Sequence, residues 1–292
     1  MRNESTIDDD GTLASLVRDG GMDEEVISAF RGLVYGYYER YGRNLPWRGV
    51  ALTPYHVLVS EVMLQQTQAD RVARKFDEFI AAFPNVRVLA LTSLEPLLRV
   101  WQGLGYNRRA IALKKTAGII IERHSGIVPD NADDLAALPG IGRATASSIL
   151  AFAYNKPVVF IETNIRTVFI HLFFADRPNV TDEDIRPLVE RSLDRDNPGR
   201  WYNALMDYGV MLKSRYGNPS RRSSRYKKQS AFHGSHRQTR GAILKSVIGN
   251  SGISLAELTG LLGLDPLAIR TALAELVEEE FLYQENDRFF IR

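Results

Sequence analysis

The chain has 292 residues, 45% of them hydrophobic, and a formal net charge of +2, a size that suits two folded units rather than one small domain. It contains no cysteine, which excludes disulfides, thiolate metal sites and cysteine-held iron–sulfur clusters. No run approaches the ~20 apolar residues of a membrane helix, and the acidic opening Asp8-Asp9-Asp10 is unlike a signal peptide, so a cytoplasmic protein with no membrane contact is expected.

Residues 1–24 read as a flexible polar tail. From Glu25 to Leu212 apolar residues recur at three- and four-residue spacing, as in Val26/Phe30/Val34, Val57/Val62/Leu64 and Leu97/Leu98/Trp101. That period predicts an almost wholly helical unit. Proline and glycine punctuate it at Pro46, Pro54, Pro84, Pro129, Pro139-Gly140 and Pro157. Val158-Val-Phe-Ile161 is apolar and β-branched, but too short and isolated to make a sheet.

Within this unit, Leu138-Pro-Gly-Ile-Gly-Arg-Ala-Thr-Ala146 reads as a tight hairpin feeding an Ala/Ser-rich helix. Gly140 and Gly142 permit positive φ and a close backbone approach. The N–H groups at the helix start then face an anion, and a DNA phosphate is the natural guest. The same pattern also serves as a plain helix–helix turn, so its surroundings decide.

Beyond Leu212, residues 213–228 carry Lys213, Arg215, Arg221, Arg222, Arg225, Lys227 and Lys228 with no acid among them. Such a block fits a phosphate backbone, although a solvated linker has the same composition. From Arg237 onward, Thr239–Ile248, Ser254–Leu262 and Asp265–Glu280 read as three helices, with Ser254 and Asp265 as N-caps. Phe281–Gln284 then meets Arg288–Ile291 across Glu285-Asn-Asp287 as a hairpin. Three helices and a hairpin suggest a winged helix-turn-helix. Its third helix carries Glu275, Glu278, Glu279 and Glu280 against Arg270, which is poor chemistry for a groove reader. A structural or partner role is favoured.

Four further segments accompany the hairpin in fixed order: Leu45-Pro-Trp-Arg48, Ser60-Glu-Val-Met-Leu-Gln-Gln-Thr-Gln68, Trp101-Gln-Gly-Leu-Gly-Tyr-Asn-Arg-Arg109 and Phe160-Ile-Glu-Thr-Asn-Ile-Arg166. On these residues the chain resembles the helix-hairpin-helix (HhH-GPD) DNA glycosylases, and within them the adenine DNA glycosylase (MutY) branch. The resemblance covers residues 28–235. It implies an all-α fold of two helical subdomains around a cleft over 25–212, a basic loop over 213–236 in place of an iron–sulfur loop, and the winged-helix-like unit over 237–292.

The chemistry suits the residues. Cleaving a purine N-glycosidic bond needs an acid for the leaving base and an anion for the oxocarbenium-like sugar. Glu61, among Val59, Val62, Met63 and Leu64, is the candidate acid, since burial would raise its pKa; an exposed helical Glu is the bland alternative. By resemblance, Glu162 is the second carboxylate and Asn164 its orienting partner. Gln65 and Gln66 would wedge into the duplex where the target base leaves the stack, Tyr106 would stack beside the opposite base, and Trp47 and Arg48 would border the base pocket. Trp47 and Tyr106 could equally be core aromatics. Gly140, Gly142, Arg143, Thr145 and Arg166 would meet DNA at and beyond the hairpin, joined by Arg215, Arg221, Arg222 and Arg225 from the basic loop.

The chain departs from the family at several places. Glu162 stands where the family has Asp, and Thr163 where it has Gly. Three readings stay open: Glu162 does the Asp's work after a small backbone shift, serves a different substrate geometry, or only caps the helix beginning at Ile165. Ala144 replaces the Lys of bifunctional relatives and the Ser or Tyr of others, so strand cleavage is not expected. The cluster cysteines would fall near Lys213, Ser220, Ser223 and Gln229, none a ligand, so no iron–sulfur cluster and no metal site is expected; a monovalent cation on the hairpin carbonyls stays open. The domain that reads 8-oxoguanine in adenine glycosylases is not visible.

The expectation is therefore a monofunctional glycosylase of base excision repair, acting as a monomer on double-stranded DNA with a mismatch or damaged base, nucleoid-associated if prokaryotic. Adenine opposite guanine or 8-oxoguanine is the first target. Mispaired thymine or uracil, another modified base, and a non-catalytic mismatch sensor are the alternatives.

Overall fold

The computed structural model describes residues 23–49, 52–174, 177–226 and 232–292. The expected tail up to residue 22, and Lys227, Lys228 and Gln229, lie outside them. In chain order the helices are α1 (Glu24–Tyr41), α2 (Pro54–Leu64), α3 (Ala69–Ala82), α4 (Val86–Leu91), α5 (Leu94–Trp101) and α6 (Arg108–His124). Then come α7 (Ala132–Ala136), α8 (Arg143–Tyr154), α9 (Thr163–Phe173), α10 (Asp182–Ser192) and α11 (Pro198–Tyr216). The C-terminal elements are α12 (His236–Gly249), β1 (Ile253–Ser254), α13 (Leu255–Leu262), α14 (Pro266–Glu278), β2 (Leu282–Glu285) and β3 (Arg288–Ile291). Single 3₁₀ turns lie at Pro46–Arg48 and Pro219–Arg222.

The described residues fall into two compact units. One holds 23–45, 130–136 and 142–226. Its α1 is capped by Asp23 and buries Val26, Phe30 and Val34 on one stripe, the i, i+4 period read from sequence. Phe30 meets Phe169, Phe173 and Trp201 edge-on at 5.3–5.5 Å, which joins α1, α9 and α11 in one aromatic core. The buried carboxylate of Asp207 on α11 takes the Arg43 backbone N–H and guanidinium, each at 2.7 Å. Removing either partner would leave a charge without its mate.

The other unit holds 46–129, 137–141 and the C-terminal elements. Its core includes Leu97, Leu98 and Trp101 of α5, with Phe79 edge-on to Trp101 at 5.9 Å. Ser254 and Asp265 cap α13 and α14. The hairpin turn is two residues rather than three: Asn286 and Asp287, at φ 48° and 61°, fit the primed turn that matches strand twist. The small β1 strand, unseen in the sequence because two residues show no alternation, pairs with β3 to give the antiparallel order β1-β3-β2.

Within this unit Glu279 and Glu280, just after α14, face cations of α6, while Glu275 on α14 pairs with His236 and Arg240 of α12. Both carboxylate oxygens of Glu279 accept from Arg108, and Glu280 pairs with Lys115 at 3.2 Å. Arg99 of α5 also donates to the Ile248 carbonyl at 3.0 Å. Two of the acids that made α14 unsuitable for a DNA groove, Glu279 and Glu280, thus hold the C-terminal elements against α6, and the Ile248 carbonyl holds them against α5.

Candidate active site

Glu162 is the N-cap of α9, with φ −107° and ψ 179°. Its Oε1 accepts the N–H groups of Asn164 at 2.7 Å and Ile165 at 2.9 Å; Oε2 lies 3.3 Å from the Asn164 amide nitrogen. Lys213 of α11 donates to Asn164 Oδ1 at 2.7 Å. Enclosure pushes the Glu162 carboxyl above its usual value, against the pull of the Ile165 N–H, Lys213, the Asn164 N–H and Arg166. Burial likewise lowers the Lys213 ammonium, with Glu162 opposing. One carboxylate oxygen is therefore fixed by the helix start, while the other accepts from the Asn164 amide at 3.3 Å.

The approach of α11 to this cap depends on Gly209. A Cβ there would overlap the Asn164 carbonyl, so the Asp-Tyr-Gly run of α11 combines the Asp207 anchor with the gap that admits Asn164.

The positions aligned with the family's cysteines do not fit a cluster. Ser220 Oγ donates to Asn218 at 2.6 Å, the Ser223 hydroxyl accepts from the Arg225 N–H at 3.2 Å, and Lys213 is committed as described. Thiolate ligation is impossible in a chain without cysteine, and among the described residues no group of three His, Cys, Asp or Glu is placed to hold a metal. Instead, Arg222 donates to the carbonyls of Phe174 at 3.0 Å and Ile170 at 3.3 Å, which closes the C-terminus of α9.

This corrects part of the expected phosphate-binding set. Arg222 is engaged inside the fold, and Arg166 forms a two-bond pair with Asp182 at 2.8 and 3.0 Å. Arg225 shares that carboxylate at 3.2 Å. Arg215 is exposed and stacks over Tyr216. Arg143 and Arg221 are exposed.

Glu61 is half-buried on α2, flanked by buried Ser60, Val62 and Met63. Trp47 and Arg48 form the 3₁₀ turn, with Trp47 edge-on to Phe76 at 5.8 Å. Gln65 donates to the Gly140 carbonyl at 3.0 Å. Gly140 has φ +77° and a Cβ position 2.9 Å from that of Ala112, so glycine is required twice over. Gly142 differs from expectation: it is an extended N-cap of α8 at φ −81°, ψ 168°. Ala144 is exposed on the first turn of α8, with Thr145 half-buried beside it.

Arg109 carries a role the sequence did not signal. Its guanidinium donates to the carbonyls of Val62, Met63, Leu104 and Gly105 and to Thr67 Oγ1, at 2.7–3.3 Å. Burial pulls it down to about 10. It ties the end of Glu61's helix to the loop of Tyr106, whereas the adjacent Arg108 turns to Glu279. Two neighbouring arginines look alike in sequence; only the carbonyls around them differ.

Over 188 residues the chain is 34% identical to the adenine DNA glycosylase of Buchnera aphidicola subsp. Baizongia pistaciae (strain Bp), covering 63% of this chain and 52% of that protein. Over 132 residues it is 41% identical to the adenine DNA glycosylase of Mycobacterium tuberculosis (strain CDC 1551 / Oshkosh), covering 45% and 43%. It thus spans about half the length of the curated relatives it matches. In fold it is similar to a thermostable thymine-DNA glycosylase, with TM-score 0.57 and 21% identity over 68% of this chain and 92% of that one. Residues 59–192 match the model of the HhH-GPD superfamily base excision DNA repair protein. That stretch runs from the helix of Glu61 through the hairpin to the end of α10, and over it the chain is similar to the HhH-GPD superfamily of base excision DNA repair proteins.

Proposed function

We propose that the chain is a monofunctional DNA glycosylase that removes a mispaired base, adenine opposite guanine or 8-oxoguanine first. It acts as a monomer on double-stranded DNA, without a resident cofactor, in the cytoplasm and on the nucleoid if the source is prokaryotic. The observation that carries the reading is the Glu162 carboxylate, held at the start of α9 with Oε1 fixed by two backbone N–H groups and Oε2 contacted by the Asn164 amide at 3.3 Å. The adenine DNA glycosylases that are 34% and 41% identical to this chain over 188 and 132 residues support the choice of base.

In this mechanism Glu61 gives a proton to the ring nitrogen of the flipped base, and the C1′–N bond breaks with its electron pair leaving on the base. Glu162 stabilises the sugar cation and positions the water that adds to C1′, taking up that water's proton. Asn164, tethered by Lys213, fixes the carboxylate. Ala144 offers no amine for a Schiff base, so the product is an intact strand with an abasic site. The N-cap bonds of Glu162 also suit a base-flipping sensor, in which the carboxylate only caps its helix.

Single-turnover base release on A·G, A·8-oxoguanine, G·T, G·U and hypoxanthine duplexes, with alkali to reveal abasic sites, tests the proposal. Release from adenine mispairs, with strand breakage only after alkali and loss of release in Glu61→Gln, is expected. Tight mismatch binding with no release from any duplex would sink the glycosylase reading and leave the sensor. Release confined to G·T or G·U would move the target to pyrimidines.

A further inference from the structure

Arg166 sits one turn beyond Glu162 on α9, and its backbone N–H donates to the Glu162 carbonyl at 2.9 Å. A glutamate followed four residues later by an arginine is the order in which opposite charges along a helix pair best. That pair does not form here. The Arg166 guanidinium turns to Asp182, the first residue of α10, and donates to its two oxygens from Nε at 2.8 Å and Nη2 at 3.0 Å. Both side chains are largely enclosed, Arg166 at 12% exposure and Asp182 at 13%. A guanidinium held this far from water needs an anion, because an unpaired enclosed charge is costly.

Glu162 also lies within the field of that guanidinium. Burial raises the Glu162 carboxyl, and Arg166 is among the groups that oppose it. Among the described residues, the charged groups that bear on Glu162 are Lys213 of α11 and Arg166 of α9. Around Arg166, α10 supplies Asp182, and the segment after the second 3₁₀ turn supplies Arg225, which shares the Asp182 carboxylate at 3.2 Å. A two-bond pair with Arg166 would occupy both oxygens of Glu162 and neutralise the anion before a sugar cation could meet it. The first turn of α10 carries three acids, Asp182, Glu183 and Asp184, as helix starts often do. Asp184 completes the capping box with Thr181, and Glu183 is exposed. Asp182 instead reaches the arginine beside the site.

We propose that Asp182 is a positioning residue for base release: it draws the Arg166 guanidinium off Glu162 and so leaves that carboxylate for the sugar cation. The proposal rests on the glycosylase reading for what the carboxylate does, and on the ion pairing alone for how it is kept available.

The test uses the full chain with two readouts. One is single-turnover base release across pH 5 to 9 on a saturating A·G duplex. The other is the titration of the Glu162 carboxyl by ¹³C NMR of glutamate-labelled protein, assigned with Glu162→Gln. In Asp182→Asn the shape is kept and the anion removed, so Arg166 should pair with Glu162. The carboxyl titration should then move down by about one pH unit, and the plateau rate should fall about tenfold. Because the acid limb moves down with the titration, the loss should fade toward acid pH. Adding Arg166→Gln should reverse both changes, and Asp182→Glu should keep the parental behaviour.

An unmoved titration in Asp182→Asn would overturn the proposal. So would a loss of rate that is equal at every pH and is not rescued by Arg166→Gln, which is the mark of a merely structural acid. If Asp182→Asn fails to fold, Arg166→Gln alone carries the test, since Arg225 still matches Asp182. With no guanidinium contending for Glu162 it should not lose plateau rate, and a tenfold loss would overturn the proposal. A titration shift reversed by Arg166→Gln, in a chain whose parent releases no base, would leave the pairing standing and remove the glycosylase reading. Base release with an unmoved titration would do the reverse.

Discussion

Replacing Lys213 with methionine removes a cation while keeping much of the side-chain volume. The ammonium holds Asn164 Oδ1 at 2.7 Å and opposes the burial that raises the Glu162 carboxyl. An opposite charge within about 4–6 Å lowers a carboxyl by about 1–3 pKa units. The lower end applies here, because Glu162 is only half-buried and Arg166 and two backbone N–H groups remain. Glu162 must be ionised to stabilise a sugar cation, so Lys213→Met should move the acid limb of the rate profile up by about one pH unit. On the acid side the rate should fall about tenfold, with recovery toward the parental value as pH rises. Lys213→Arg should keep the parental limb. The assay is single-turnover base release across pH 5 to 9 on the best duplex. A Lys213→Met profile that overlays the parental one, or that drops equally at every pH, would refute the charge argument.

Two other outcomes follow from the same contacts. Because the folded state raises the Glu162 carboxyl above its ordinary 4.5, its contribution to stability is present below that value and is lost as pH rises through the folded one. Glu162→Gln should therefore abolish base release yet raise Tm at pH 8, with the difference vanishing near pH 4; a lower Tm at pH 8 would contradict this. Arg109→Lys keeps a charge but cannot reproduce the planar fork that reaches four carbonyls and a hydroxyl. It should cost about 3 kcal/mol in urea unfolding and, by shifting the end of Glu61's helix, about a hundredfold in single-turnover rate. A stable variant with full activity would show that these bonds do not position Glu61.

The sequence carried the features that obey local rules. The 3.6-residue stripe of α1, the caps Ser254 and Asp265, and the positive φ of Gly140 are set by residues within a turn of one another. The fate of each arginine was not legible. Arg166 finds Asp182 sixteen positions away, and Arg222 finds Ile170 fifty-two positions away, whereas Arg221 stays exposed. In sequence all three are cations beside a motif. Gly142 was misread for a related reason: a glycine before a helix permits positive φ but does not require it, and here it is an extended cap. The acidity after and along α14 was legible as unsuited to DNA, but its cationic counterparts on α6 and α12 became visible only in three dimensions.

The three readings of Glu162 left open by the sequence can now be narrowed on physical grounds. Capping and catalysis do not compete for this side chain, because Oε1 alone accepts both cap N–H groups. The longer acid therefore reaches its own helix start and still presents Oε2. What an added methylene takes away is rigidity, and this is where Lys213 and Asn164 enter. The lysine fixes the amide oxygen, which turns the amide nitrogen toward Oε2. By the resemblance, the family's first cluster cysteine would fall near Lys213 of α11, and Arg222, in the 3₁₀ turn that follows, closes the far end of α9. The end of α11 and the turn after it thus grip the carboxylate-bearing helix at both ends by hydrogen bonds. Lys213 thus steadies the longer side chain through Asn164, whose amide meets Oε2.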